Sequence, residues 1–350
     1  MMGNDNATRC IPRFYILGAM KAGTGTLCAW LNGVPDVSVR STEIHFWPGP
    51  PLNRRVPDHA WCMRTQAGLT DAVLQRKNRG SDCEPRTILG YKHPLLLWVP
   101  ELPGIFAACR RHGLFDYRPL PQQHPPYPAP KMIVNLRDPA ERARSQFAYM
   151  HRRVAQPDAF DRQVTTELQR APAGGSGSAC LRNMVRCLTG IGLTTDDVLS
   201  RSLYFVWLKE WLGAFDCRHL LLLRFEAHLG TDSAVAATAA LQRVSAYITG
   251  HAMPFAGAEG IVKRTLQFPR PIGSKGRLRH LDANSSTRRR LDQFFAPFNS
   301  ALWSLLAKRC RCVPLAEDDA SGMAEVGGVL DTAGAATGAW WPTVSPVCKG

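Results

Sequence analysis

The chain has 350 residues, of which 45% are hydrophobic and 20% charged, and its formal net charge is +15. That length can bury a full core, and the apolar content excludes a disordered chain, leaving one large α/β domain as the expectation. The positive balance favours polyanionic partners (nucleic acid, acidic polysaccharide, an acidic membrane surface or a phosphorylated cofactor) without choosing among them.

Residues 1–12 form a polar extension, and no apolar run reaches the length of a membrane span. As written, the sequence is expected to carry neither anchor nor secretion signal. A βα unit is predicted over 13–33: the apolar strand beginning at Phe14 enters the turn Gly18-Ala-Met-Lys21-Ala22-Gly23-Thr24-Gly25-Thr26 and then a helix. Backbone N–H groups in such a turn, with the positive end of the helix dipole, cradle an anion. A nucleoside triphosphate loop carries its Lys directly after the second Gly, whereas Thr24 follows Gly23 here and the lysine sits inside the loop at Lys21. Lysine is scarce, only 9 of 43 basic residues, so Lys21, Lys92 and Lys275 stand out.

A second strand is predicted at Thr87 to Lys92 and a helix near 101–112, followed by the Pro-rich loop 116–130. The continuous apolar run Lys131 to Leu136 reads as a buried parallel strand entering a helix at Pro139 to Arg153. At its end Arg137, Arg142, Arg144 and Ser145 make a second anion site, with a capped helix bearing a basic face as the alternative. The Gly/Ser-rich stretch 171–179 reads as a flexible insertion. A helix at 202–214, a strand from His219 to Phe225, and helices near 231–249 and 286–309 follow, the last broken or bent by Pro297. The domain is expected to run over 13–312, with 313–350 a low-complexity tail. Strands alternating with helices predict a three-layer α/β fold with a central parallel sheet and ligands at the carboxyl ends of its strands.

Eleven Cys contain no C-x-x-C pair, and Cys310-Arg-Cys312 is too tight for a zinc knuckle, so no metal is expected. Disulfides fit an oxidising lumen, although spacing does not give their pairing. The sequons at Asn6 and Asn284 point the same way.

The series of motifs resembles the sulfotransferases that use 3′-phosphoadenosine 5′-phosphosulfate, with a P-loop-type fold. The K-x-G-T-x-x-L turn is similar to the family's 5′-phosphosulfate loop, and R-D-P-x-x-R-x-x-S-x-F, with Arg137 and Ser145, to its 3′-phosphate site. Ser274-Lys275-Gly276-Arg277 resembles a nucleotide-contacting loop of the glycosaminoglycan branch, whose terminal helix pattern continues through Leu291, Phe294, Phe295 and Asn299. Thr42-Glu43-Ile-His45-Phe-Trp47 resembles the segment carrying the catalytic base, with Thr42 in place of the usual Lys. Gly90-Tyr-Lys92-His-Pro94 resembles an E-K-x-P element with Tyr91 in place of the acid.

The resemblance implies that Glu43 is general base, that Lys21 neutralises the 5′-phosphate, and that Lys92 and His45 assist. It implies an anionic, chondroitin- or heparan-type glycan acceptor, no nucleic acid, and residence in the Golgi lumen, with membrane contact only through an anchor upstream of this sequence. The alternatives are a cytosolic sulfotransferase of small molecules, a nonenzymatic polyanion-binding protein, and a P-loop kinase, which would need a Walker-type lysine.

Overall fold

The computed structural model describes residues 12–40, 88–100, 102–111, 130–151, 158–194, 196–230, 232–250, 257–267, 285–310 and 329–330. Six parallel strands form one sheet: β1 (Phe14–Gly18), β2 (Val37–Arg40), β3 (Ile88–Lys92), β4 (Lys131–Leu136), β5 (Leu220–Arg224) and the two-residue β6 (Val329–Leu330), in the spatial order β2-β3-β1-β4-β5-β6. The alternation of side chains across each strand divides the interior into two cores. Tyr15, Leu17, Met132, Val134 and Leu222 face one; Phe14, Ile16, Ile133, Leu221 and Leu223 face the other. A sheet buried on both faces reads as an unbroken apolar run, which is why β4 and β5 were legible.

The second core is covered by α1 (Thr24–Leu31) together with two later helices, numbered below. On the way, the chain forms α2 (Leu102–Arg111), α3 (Pro139–Met150), α4 (Ala159–Arg170), α5 (Gly177–Arg182), α6 (Met184–Ile191) and α7 (Tyr204–Ala214). The two later helices over the second core are α8 (Ala234–Thr249) and α9 (Ala258–Gln267), and the long α10 (Ser286–Arg309) packs against the first through Leu291, Phe294, Phe295 and Phe298. The three-layer parallel fold expected from the sequence is therefore the one observed. No helix among the described residues is long and apolar enough to cross a membrane.

Three expectations need correction. The stretch 171–179 is folded: a short helical turn at Pro172–Gly175 leads into α5, and a disulfide between Cys180 and Cys187 ties α5 to α6. Its glycines serve packing, since a Cβ on Gly177 would lie 2.0 Å from the Phe294 carbonyl oxygen of α10. Second, of the break or bend expected at Pro297, the break is absent: α10 runs through it as a single helix. Third, α3 ends at Met150, short of Arg153. The elements β2, α4 and α9 were not anticipated. A second disulfide joins Cys217 to Cys310, Cys109 is also disulfide-bonded, and Cys28 is a buried free thiol. The Pro-rich loop to residue 129, the sequon residues Asn6 and Asn284, and the tail apart from β6 lie outside the described residues.

Candidate functional site

Because the strands are parallel, the turns after β1, β3, β4 and β5 all open at one edge of the sheet, where open α/β folds bind ligands. The turn after β1 is shaped by left-handed backbone at Lys21 (φ 68) and Gly23 (φ 83). The Ala19 N–H donates to the Asn135 carbonyl of β4 at 2.9 Å, and the Ala22 N–H to the Ala19 carbonyl at 3.1 Å. Gly23 is the N-cap of α1 and supplies no side-chain acceptor to the first-turn N–H groups. Thr24 is buried, Thr26 half-buried and Gly25 exposed, with nothing within 4 Å of where its Cβ would stand. The sequence thus builds a helix start whose first-turn donors have no side-chain cap, with open space beside Gly25.

The second predicted anion site meets the first directly. Arg137, just beyond β4, donates from Nη1 to the Lys21 carbonyl at 3.1 Å across 116 residues of sequence, and its guanidinium lies 4.7 Å from the Phe225 ring centroid. Its main chain is held on both sides: the Tyr204 hydroxyl donates to the Arg137 carbonyl at 2.9 Å, and the Arg137 N–H donates to the same hydroxyl oxygen at 3.3 Å. The Lys21 Nζ sits 4.5 Å from the ring centroid of Tyr149, which lies one helical turn beyond Ser145 on α3. Lys21, Arg137 and the helix bearing Ser145 therefore share one surface.

A network of carboxylates fixes the start of α3. Asp138 is the N-cap, accepting the Glu141 N–H at 2.9 Å, and its other oxygen accepts from Arg288 of α10 at 2.7 Å. The Asp138 N–H donates to Glu226 at 2.7 Å. Burial pushes the carboxyls of Asp138 and Glu226 up, with Arg288 and the Glu141 N–H opposing at Asp138 and the Asp138 N–H opposing at Glu226.

Arg142 departs from the motif reading. It is 0% exposed, and its donors go to Ser202 Oγ, Gln146 Oε1 and the Val198 carbonyl, so it braces the 198–202 segment and does not face the open edge. Lys92 ends β3 at 8% exposure on the side of α1, where its charge opposes the upward push of burial on the Cys28 thiol. Glu43, His45, Ser274, Lys275, Gly276 and Arg277 lie outside the described residues. Among the described residues no group of three His, Cys, Asp or Glu is arranged to hold a metal.

No family model matches the chain. Human carbohydrate sulfotransferase 15 is 28% identical over 242 residues, 65% of this chain and 42% of that protein. The rat and mouse proteins of the same name are 27% and 26% identical over 246 and 248 residues. A crystal structure of a sulfotransferase from Alicyclobacillus acidocaldarius shares the fold, with a TM-score of 0.50 and 20% identity over 85% of this chain and 96% of that one. The chain is distantly similar in sequence to these carbohydrate sulfotransferases and shares the sulfotransferase fold. It spans less than half the length of the curated relatives it matches. The sequence motifs located Lys21 and Arg137, and the spacing that begins at Tyr204 marked it as scaffold, but they were silent on Tyr149 and Arg288, which lie against Lys21 and the start of α3.

Proposed function

We propose that the chain transfers a sulfuryl group from 3′-phosphoadenosine 5′-phosphosulfate to a hydroxyl of a glycan, an anionic chondroitin- or heparan-type polysaccharide. The observation that carries this reading is the hydrogen bond from Arg137 to the Lys21 carbonyl, which joins two phosphate-binding motifs into one continuous surface. The residues fit such a donor. The uncapped start of α1, with Lys21 through Thr26, suits its 5′ end, and Arg137 with Ser145 suits its 3′-phosphate. Ser274, Lys275, Gly276 and Arg277 complete the nucleotide contacts by resemblance.

When bound, the donor supplies a sulfuryl group whose S–O bond to the 5′-phosphate breaks as the acceptor oxygen bonds to sulfur. Glu43 takes the hydroxyl proton, and Lys21 neutralises the charge that collects on the departing phosphate oxygen. Lys92 and His45 orient the acceptor or share that charge. The fixed cations do this work without a metal, as in the electrostatic part of phosphoryl transfer. The disulfides Cys180–Cys187 and Cys217–Cys310 support residence in an oxidising lumen such as the Golgi.

The test is product analysis with labelled donor and a panel of polysaccharides and simple phenols, alongside calorimetry with adenosine 3′,5′-bisphosphate. Binding of the bisphosphate and label in a polysaccharide sulfate ester are expected. Salt-sensitive polyanion binding with no affinity for the bisphosphate would overturn the reading, and label in phenols alone would move it to a small-molecule enzyme.

A further inference from the structure

Arg201 sits in a 3₁₀ turn, Ser200–Ser202, between α6 and α7, and the structure holds it in a fixed place with no carboxylate at ion-pair distance among the described residues. Its carbonyl accepts the Trp98 indole N–H at 3.1 Å, and its guanidinium lies 4.9 Å from the Trp98 ring centroid. The turn is braced on every side. Ser202 donates to the Pro139 carbonyl at 2.9 Å and accepts from Arg142 at 2.6 Å, while the Ser200 carbonyl accepts the Trp207 indole at 3.1 Å.

The guanidinium head is different from its neighbours. Arg137, Arg142 and Arg288 each donate to oxygen. Among the described residues Arg201 donates only to the thioether sulfur of Met20, at 3.5 Å, and no carboxylate lies within ion-pair distance of it. A thioether is a weak acceptor, so most of a five-donor fork is left for something else. The residue is only 9% exposed, and burial pulls its pKa down against the opposing charges of Asp197 and Asp196. Holding a largely buried cation without an oxygen partner is costly, and a ligand oxyanion would offset that cost.

Its position says which ligand. Met20 directly precedes Lys21 in the cradle, and Trp98 belongs to the segment after β3, which lies on the opposite side of β1 from β4. The cradle is thus touched at Lys21 by Arg137 and at Met20 by Arg201. The proposed donor already engages Lys21 and Arg137. A planar fork next to the cradle matches a carboxylate or sulfate ester in bidentate fashion. We propose that Arg201 recognises an oxyanion of the acceptor glycan, a uronate carboxylate or an existing sulfate ester, close to the hydroxyl that receives the new sulfate. This inference rests on the sulfotransferase reading above.

The experiment compares wild type with Arg201→Ala, Arg201→Lys and Arg201→Met, the last keeping an apolar stem against Trp98. Each is assayed with a sulfated chondroitin oligosaccharide and with desulfated, carboxyl-reduced, and doubly treated versions of it. Bisphosphate affinity and Tm are measured in parallel. For Arg201→Ala and Arg201→Met, KM for the sulfated acceptor is expected to rise about tenfold or more, the loss typical of a charge-assisted hydrogen bond, with partial recovery in Arg201→Lys. Donor KM and bisphosphate affinity stay within about twofold of wild type, and KM for the doubly treated acceptor does not respond to the substitution. The single-treatment acceptors tell sulfate from carboxylate, since only removal of the recognised group abolishes the effect.

Unchanged acceptor KM in all three variants would overturn the inference. So would a rise in donor KM or a fall in kcat with acceptor KM unaltered, which would put Arg201 on the donor or its sulfuryl group. Loss of Tm with equal damage to every acceptor would reduce it to a structural residue. Wild-type protein that neither binds the bisphosphate nor transfers label would defeat the functional reading itself, whereas active wild type with indifferent variants defeats this inference alone.

Discussion

Gly23 meets two demands at once, a left-handed φ of 83 and an approach that would put a Cβ 2.8 Å from the Phe225 ring. Gly23→Ala is therefore expected to cost about 1–3 kcal/mol of stability, the range for a strained backbone, and to weaken bisphosphate binding; denaturant unfolding and calorimetry check the pair. Lys21 shares the left-handed backbone but contributes through charge. Lys21→Ala is expected to lower turnover by about 10²–10³ with little change in Tm, read from initial rates with labelled donor. These residues were legible because cradle motifs are local: a Gly-rich turn and an Arg after a strand announce themselves within a few positions. Arg288 and Arg201 were not, because their partners Asp138 and Met20 lie 150 and 181 residues away and leave no periodic or spacing signal.

At the level of elements, α10 acts as a brace on the site. Its first turn delivers Arg288 to Asp138, and Asp138 caps the helix that carries Ser145. Removing one partner of a largely buried pair leaves the other charge uncompensated, so Arg288→Ala is expected to destabilise by about 3 kcal/mol and to weaken bisphosphate binding as the α3 start loosens. Urea denaturation and calorimetry on the same preparation test this. Glu226 supports the same turn, with one oxygen bonded to the Asp138 N–H and the other buried without a partner among the described residues. Burial raises its pKa, so over the interval above the ordinary carboxylate range the folded state holds a proton that the unfolded chain has released. Its contribution to stability then falls as pH rises through that interval and returns on acidification. Glu226→Gln keeps the acceptor and removes the charge. Its Tm is expected to match or exceed that of wild type near neutrality, with the gap closing towards about pH 5. The element most misread from sequence was 171–179, where Gly and Ser suggested flexibility. A glycine chosen for close approach, as Gly177 is against Phe294, looks in sequence like one chosen for freedom. The four-residue β2 was too short for alternation to register.

Across the whole molecule, the parallel order of strands and the two cores followed from apolar runs separated by helical periodicity, and that part of the architecture was readable. Cystine pairing was not, since it depends on which ends the fold brings together. Cys217–Cys310 closes 93 residues and Cys180–Cys187 only 7. By the chain-entropy account, Cys217→Ser should cost on the order of 4 kcal/mol and Cys180→Ser about 2 kcal/mol, a ranking that unfolding with and without reductant will test. The bond between Arg137 and the Lys21 carbonyl has a consequence at this scale as well. If the proposed function holds, it makes the site a calliper whose jaws the protein spaces before any guest arrives. Under the proposed function, a guest with anionic groups at both ends fills both jaws, whereas one that crowds its phosphates at a single end leaves the other jaw idle. Selection then falls on molecular span more than on the identity of the base, and a triphosphate is a poor competitor however many charges it brings.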